Sequence, residues 1–507
     1  MFSLLAVLLF VAGIVARIAI FRASASSLVD QYYWMLAAQA YREQKSLPVQ
    51  IPGKYLLEDE TQAYPPFFGW LLGRISSTTI LRWVTPAVEI VGFLVLWITM
   101  IILGAPWDML MLALSFYIAA PVLVVYNAQL TPRVLGDFFL FSAMVLQLFA
   151  VMIESESWLA SLCWITSACF LGMMMMTHKM SLQLHVVLMP LWWWSLSAWQ
   201  VPIATLGGLA LFVIMVGPAF ARYQFRAHSE IVIFWNRHWR NLGGHQFDLS
   251  PVYGNSDGNR SACFHVPGWR GVLKHMRVVI SYAPMNLLLP VCSMLVDAWP
   301  PDWVLVWIGT VYVWALATLY IPGLRCWGGG HLYIFNAIAP GTIYLSFLPA
   351  NPMVFVVAVI GFILTVISLA AAWRIVLARP TKLRMDFEDA INHLGNLSAS
   401  RIAVFPLQAA EAVAAKTQHA VLWGGHGYGF NKLEGFFPII FYPLGNIFRE
   451  YEIQWVLWDK NYWPKGRDAL IREGSIEADT VLNIGRWCLA RTKVLSHKQN
   501  MNKKDRL

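Results

Sequence analysis

Residues 29–73 read VDQYYWMLAAQAYREQKSLPVQIPGKYLLEDETQAYPPFFGWLLG, and the reading of this stretch decides the fold. An almost wholly apolar run, 2–21, precedes it and a second, 79–103, follows it. Apolar runs of about 20 residues are long enough to cross a bilayer as helices, so residues 22–78 are expected to form a loop on one membrane face. That loop carries Asp30 where the first span ends, then the acidic triplet Glu58-Asp59-Glu60, then the aromatic turn Tyr64-Pro65-Pro66-Phe67. Carboxylates beside a bilayer are costly to desolvate, which makes a cluster of them a functional candidate by default. Pro-Pro after Tyr64 sets an extended turn that can open a helix lying along the interface.

Composition agrees with a membrane reading. Of 507 residues 58% are apolar and 13% charged, with 25 Trp, a balance that excludes a soluble protein and points to a polytopic membrane protein. No small-residue cleavage site follows the first apolar run, so it reads as a transmembrane helix rather than a removed signal. The net charge of +9 comes from membrane loops and the C-terminal tail. Anionic lipid or a phosphorylated substrate is therefore the expected partner, not nucleic acid. The six cysteines show no paired or zinc-like spacing.

About eleven runs meet the length for a span: 2–21, 79–103, 107–127, 134–153, 157–177, 181–199, 201–221, 278–298, 302–322, 332–348 and 353–378. Trp192, Trp193, Trp194, Trp299, Trp303 and Trp327 crowd their ends as an interfacial belt does. Long loops interrupt the pattern at 22–78 and 222–277. After Arg379 the pattern changes to short buried strands (401–405, 420–423, 452–458, 479–484) alternating with an Ala-rich helix at 407–417. The expected fold is a polytopic α-helical membrane protein with about 11 transmembrane helices. Residues 1–379 would form the membrane domain with both large loops, and residues 380–507 a small soluble α/β domain.

An odd number of spans puts both large loops and the C-terminal domain on one face, together with the turns around Arg133, Lys179 and Arg325. The opposite turns hold no Lys or Arg but carry Asp108, Glu154, Glu156, Asp297 and Asp302. The positive-inside bias would make the loop-rich face cytoplasmic. A site handling lipid phosphate also needs cations at the membrane surface, and that reading retains the basic face for function.

Asp30 opens an amphipathic stretch that includes Tyr33. It reads either as a helix N-cap or as a general base that deprotonates an attacking hydroxyl or amine. Arg133, in the turn 129–137, opens the next span after Pro132. A guanidinium there is expensive unless satisfied, either by a phosphate or by Asp137 at i+4. His178 and Lys179, with Arg325 and His331 around Gly328-Gly329-Gly330, extend a basic rim on the same face, each also a plausible interfacial anchor. Loop 222–277 adds Trp235, His238, Trp239, His245, His265 and Trp269, whose spacing is not that of metal ligands. The turn 423–429, WGGHGYG, lacks the ending of a P-loop.

An Asp after the first span, a later acid and then Tyr64-Pro65-Pro66-Phe67-Phe68-Gly69-Trp70-Leu71 together resemble GT-C fold membrane glycosyltransferases of the aminoarabinose-transferase and protein O-mannosyltransferase type. Pro132-Arg133 resembles their short second loop. Asp30-Gln31 stands where such relatives often have Asp-Glu. The resemblance implies transfer of a sugar, with inversion, from a polyprenyl-phosphate-linked donor to a lipid-linked or polymeric acceptor. Asp30 would be the base, and Glu58 or Glu60 would orient the acceptor or a divalent cation. Tyr33, Tyr64, Arg133, His178, Lys179, Arg325 and His331 would bind substrate. It also implies the bacterial inner membrane, with both loops and the C-terminal domain extracytoplasmic. The rival readings are a flippase for lipid-linked saccharide, which predicts ionisable residues at mid-membrane where few besides Glu89 and His185 occur, and a polysaccharide ligase or polymerase.

Overall fold

Proline and glycine decide where this apolar chain stays straight and where it turns. The computed structural model describes residues 2–24, 29–46, 49–57, 62, 64–153, 157–242, 246–254, 264–377, 381–424, 432, 434–478 and 481–493. Helices α1 (Phe2–Ser24), α2 (Val29–Gln44), α3 (Phe67–Gly73) and α4 (Val84–Ile102) carry the first span, the first loop and the second span. They are followed by α5 (Trp107–Ala119), α6 (Pro121–Tyr126), α7 (Arg133–Met152), α8 (Trp158–Met175), α9 (Lys179–Leu196) and α10 (Gln200–Val216). Next come α11 (Pro218–His238), α12 (Trp269–Tyr282), α13 (Pro284–Val296), α14 (Asp302–Tyr320), α15 (Ile338–Ser346) and α16 (Pro352–Leu377).

Among the described residues six helices are long and apolar enough to cross a membrane, or eight if each of two bent pairs is one span. The expected run 107–127 divides into α5 and α6 at Pro121, which lacks the N–H to continue the helix. The run 201–221 ends at Gly217, whose φ of +80° lets α11 leave at 109° to α10. Pro284 opens α13 after an 83° bend from α12. The run 332–348 is a 3-10 segment, Gly330–Ala337, leading into the short α15. The chain is an integral membrane protein, and its bends lead into the loop-bearing face.

Small residues let the helices approach closely, as they must where lipid supplies no hydrophobic drive. A Cβ on Gly172 would lie 2.9 Å from the Gly208 carbonyl oxygen, so α8 and α10 touch backbone to backbone. Gly13 of α1 meets Ala119 of α5 in the same way. Large apolar side chains such as Ile98, Ile165, Ile214 and Val313 are exposed on the outside, where lipid tails would cover them.

The C-terminal part begins with α17 (Thr381–Gly395) and builds a five-stranded sheet. Its strands are β1 (Arg401–Phe405), β2 (Ala420–Val421), β3 (Trp455–Asp459), β4 (Leu482–Ile484) and β5 (Trp487–Arg491), in the order β2-β1-β3-β5-β4. β1 pairs in parallel with β2 and β3, while β5 runs antiparallel to β3 and β4. The parallel centre needs crossovers, supplied by α18 (Ala410–Lys416) and α19 (Leu444–Glu450). β1 and β3 are almost wholly buried, as a strand covered on both faces must be.

Both large loops dock on this sheet. Residues 54–57 of the first loop run alongside β2: the N–H groups of Leu56 and Leu57 donate to the carbonyls of Val421 (3.0 Å) and Leu422 (3.1 Å). Tyr55 donates its hydroxyl to the fully buried Glu411 of α18. From the second loop, Phe247 stacks on Trp463 at 4.0 Å, Phe234 stacks on Phe437, and Ser250 donates to the Ile440 carbonyl at 2.7 Å. Both loops therefore pack against the C-terminal part.

Candidate functional site

The first loop's aromatic turn is locked to the corner between α8 and α9. The Phe67 N–H donates to the Met176 carbonyl at 2.8 Å, and the Phe67 ring meets Phe139 of α7. Behind the turn, Trp34 is held edge-on by Tyr64 (5.1 Å) and Phe68 (4.9 Å), and the buried Tyr33 donates to Gln62 Oε1 at 3.2 Å. Tyr64 faces outward from this knot, with Lys179 Nζ 5.5 Å from its ring centre. Tyr33 thus lies in the support beneath Tyr64. The expectations for Glu58 and Glu60, and for the carboxylate of Asp30, lie outside the described residues. The backbone of Asp30 belongs to the first turn of α2.

His178 is 4% exposed and caps α9, its Nδ1 accepting the Ser181 N–H at 3.4 Å. Burial, then the neighbouring charges of Arg133 and Lys179, hold its imidazole neutral well below the usual histidine range. The first turn of α7 reaches this corner because residue 136 is glycine: a Cβ there would stand 2.4 Å from the His178 Cβ. Two expected substrate-binding residues, Arg133 and His178, are brought together by that close approach.

Arg133 is the first residue of α7. Its guanidinium carbon lies over the Tyr126 ring, 4.1 Å from the ring centre, and its buried Nε and Nη1 have no hydrogen-bond partner. The i+4 spacing to Asp137 suggested an ion pair, yet none forms between them. Cation–π contact compensates part of the charge but leaves the two N–H groups unmet. An oxygen anion is the natural complement of such a fork.

From Tyr126 a chain of contacts runs to a second cationic group. The Tyr126 and Tyr282 hydroxyls hydrogen bond at 2.9 Å, Tyr282 meets His331 at 5.5 Å, and His331 packs on Phe264 at 4.4 Å. Phe264 also carries His275 (4.7 Å), which meets His265 at 5.2 Å. Trp239 closes the group between His265 and Arg325, the guanidinium lying 4.3 Å over the indole. Arg325 donates from Nε to the Leu319 carbonyl at 3.0 Å and from Nη2 to that of Tyr320 at 3.4 Å. Burial first, then neighbouring cations and histidines, pushes His265 and His331 down to about 3. Both rings are neutral at neutral pH.

Sequence reasoning found Arg133, Lys179, Arg325 and His331 but passed over Tyr126, Tyr282, His275, His228 and Gln183. His228 sits 3.0 Å from Gln183 Nε2, whose Oε1 takes the Tyr333 hydroxyl at 2.6 Å. Apart from His275 and Tyr282, which share α12, these residues lie on separate helices at spacings with no local signature, so only the packing unites them. Among the described residues no group of three His, Cys, Asp or Glu side chains could hold a metal ion.

No family model matches the chain, and no curated protein matches it. Solved structures do. The oligosaccharyltransferase of Archaeoglobus fulgidus in its apo form superposes with a TM-score of 0.56 at 10% identity, over 93% of this chain and 71% of that one. ArnT from Cupriavidus metallidurans bound to undecaprenyl phosphate gives 0.54 at 14% identity, over 97% of this chain and 98% of that one. The archaeal oligosaccharyltransferase AglB, in complex with an inhibitory peptide and a dolichol-phosphate, gives 0.55 at 9% identity, over 91% and 71%. These likenesses extend over nearly the whole chain, and the fold is GT-C.

Proposed function

We propose that the chain transfers a sugar from a polyprenyl-phosphate-linked donor to a lipid-linked or polymeric acceptor, at the extracytoplasmic face and with inversion. The observation that carries this reading is Arg133, a guanidinium at the membrane face whose buried Nε and Nη1 have no hydrogen-bond partner. The fold adds support, since ArnT is bound to undecaprenyl phosphate and AglB to a dolichol-phosphate in their solved structures.

In this reading Asp30 takes the proton from the acceptor hydroxyl or amine as that atom bonds to the anomeric carbon. The bond from that carbon to the phosphate oxygen breaks with its electron pair, and the lipid phosphate departs as an anion. Arg133 and Lys179 stabilise the charge that develops on it, the kind of fixed electrostatic help that acts where charge appears in the transition state. Glu58 or Glu60 orients the acceptor or holds a divalent cation, whose Lewis acidity would assist departure. Tyr64, His178, Arg325 and His331 complete the substrate surface, with Tyr33 as its support. We assign residues 1–379 to the membrane domain and 380–507 to the α/β domain.

The test compares purified wild type with Asp30→Asn, following transfer of radiolabelled sugar from polyprenyl-phosphate donors and measuring donor binding and thermal stability alongside. Loss of transfer with donor binding retained is the expected result. Full activity in the variant would remove Asp30 from the mechanism and direct attention to Glu58 and Glu60. Wild type that transfers from no donor but moves lipid-linked saccharide across a vesicle bilayer would replace the enzyme with a flippase.

A further inference from the structure

A group of unmet polar atoms lies beside the Arg133 site rather than in it. Both ring nitrogens of His265, Nδ1 of His275 and Nδ1 of His331 are buried with no hydrogen-bond partner. His265 is 5% exposed and His275 2%. Buried polar atoms are nearly always paired, and four unpaired imidazole nitrogens in one group need a reason. Packing alone gives none, because apolar side chains of similar shape would fill the space without that penalty.

The surrounding charge selects the sign of what belongs there. Arg325 acts on His265 and His275, and Arg133 acts on His331. A metal ion would have to sit among guanidinium groups, so three histidines that could suggest a cation instead point to an anion. Arg325 spends Nε and Nη2 on backbone carbonyls, which fixes the plane of its guanidinium and leaves Nη1 outside those bonds.

We propose that His265, His275, His331 and Arg325 form a second anion subsite, which takes a phosphate group next to the one bound at Arg133. Two sources share that chemistry under the glycosyl-transfer reading, on which this part rests. One is the second phosphate of a diphosphate-linked donor, and the other is a phosphate carried by the acceptor. The Tyr126–Tyr282–His331 contacts run from the Arg133 site to this group.

The tautomers add a signature. His275 donates Nε2–H to the Phe264 carbonyl at 3.0 Å, so in the neutral ring Nδ1 holds a lone pair. It can donate to a phosphate oxygen only after gaining a proton. An anion in the subsite favours that protonation, and binding therefore takes up protons and tightens as pH falls. The charged and titratable groups facing the subsite are Arg325 and Tyr320, Lys274 and Tyr282 with His275 on α12, and Arg133 with Tyr126 from the neighbouring site.

The experiment titrates the purified full-length chain with inorganic phosphate and with inorganic pyrophosphate by calorimetry at pH 8 and pH 6. Wild type should bind pyrophosphate roughly tenfold or more tightly than phosphate, since each charge-assisted hydrogen bond gained has that order of worth. The margin should widen at pH 6. His265→Asn and, as a second variant in case the first unfolds, Arg325→Gln should lose that margin while retaining phosphate binding at Arg133. Equal affinity for the two anions in wild type, or a margin untouched in folded variants, would overturn the subsite. Transfer assays then separate the sources. Loss in His265→Asn confined to diphosphate-linked donors assigns the donor, whereas loss with a monophosphate donor and a phosphate-bearing acceptor assigns the acceptor. Wild type that binds pyrophosphate as expected yet transfers no sugar removes the glycosyl-transfer reading and leaves the anion subsite standing.

Discussion

Two arginines, both on long apolar helices, meet opposite fates. Arg17, within α1, donates to Glu89 of α4 at 2.6 Å and to the Ile118 carbonyl at 2.9 Å, so its charge is matched inside the protein. Arg133, at the start of α7, leans on an aromatic ring and leaves two buried N–H groups unmet. A guanidinium in apolar surroundings must find a partner, and where the chain supplies one the residue is structural. Where the chain withholds it, the proposed function supplies the partner from outside, as a phosphate. Glu89, an ionisable residue at mid-span, therefore looks like evidence for a translocation path in the sequence and turns out to be half of an internal pair.

The largest effect should fall on the matched arginine. Arg17→Ala leaves Glu89 buried without its cation, and breaking such a pair from one side removes about 3–5 kcal/mol of stability. Detergent-solubilised protein should show a marked drop in unfolding midpoint, largely recovered in the double variant Arg17→Met/Glu89→Leu. No loss of stability in Arg17→Ala would mean the pair is incidental and the contrast with Arg133 is void.

Arg133→Gln should behave in the opposite way. Removing a group unpaired in the free protein leaves stability level or slightly higher. Loss of one stabilising donor for a departing anion should lower transfer by about 10²–10³-fold. Parallel measurement of melting midpoint and single-turnover transfer checks both halves. A stability loss matching that of Arg17→Ala would show Arg133 to be a structural residue as well.

Why one arginine was legible and the other not has a physical cause. Arg133 follows Pro132 in a polar turn between apolar runs, so its position at the membrane face can be read from the chain alone. Arg17 sits 72 positions from Glu89, and no periodicity links them. The same limit explains the spans. Apolar length identified α1, α4, α7, α8, α14 and α16, but counting apolar residues ignores what Gly217 and Pro284 do to helix direction, and runs expected to be single spans are bent there. In the C-terminal sheet β1, β2, β3 and β4 carry apolar runs that stand out, while β5 at Trp487–Arg491 was missed. Its buried residues, Trp487, Cys488, Leu489 and Ala490, make a short run that only pairing with β3 defines. The basic residues Arg133, Lys179 and Arg325 are legible in the sequence, yet the aromatic and histidine contacts around Arg133 and Arg325 come from separate helical segments.

Gly136→Ala tests how tightly the Arg133 corner is built. The added methyl group would collide with His178 at its Cβ, which has no freedom to move without uncapping α9. Overpacking of this kind costs about 1–3 kcal/mol. It should also weaken donor binding, because Arg133 and Lys179 are held on the two sides of that contact. Normal stability with normal binding would show that α7 and α9 can separate without consequence for the site.

The smallest effect is also the one that separates the two regions by pH alone. His265 and His331 are held at about 3 in the folded chain, chiefly by burial, against about 6.5 for a histidine in an unfolded one. The unfolded state therefore takes protons that the folded state refuses. Stability is unaffected by these groups above pH 6.5 and declines as pH falls from there toward 3. Melting curves of wild type and His265→Asn between pH 7.5 and 5 should diverge, the wild type losing more on acidification. Pyrophosphate should reduce that loss in wild type, because an anion beside the rings makes their protonated form welcome. A wild-type pH response identical to that of the variant, with or without pyrophosphate, would mean that the unmet nitrogens are already satisfied by water, and that the Arg133 region differs from the Arg17 region in charge pairing alone.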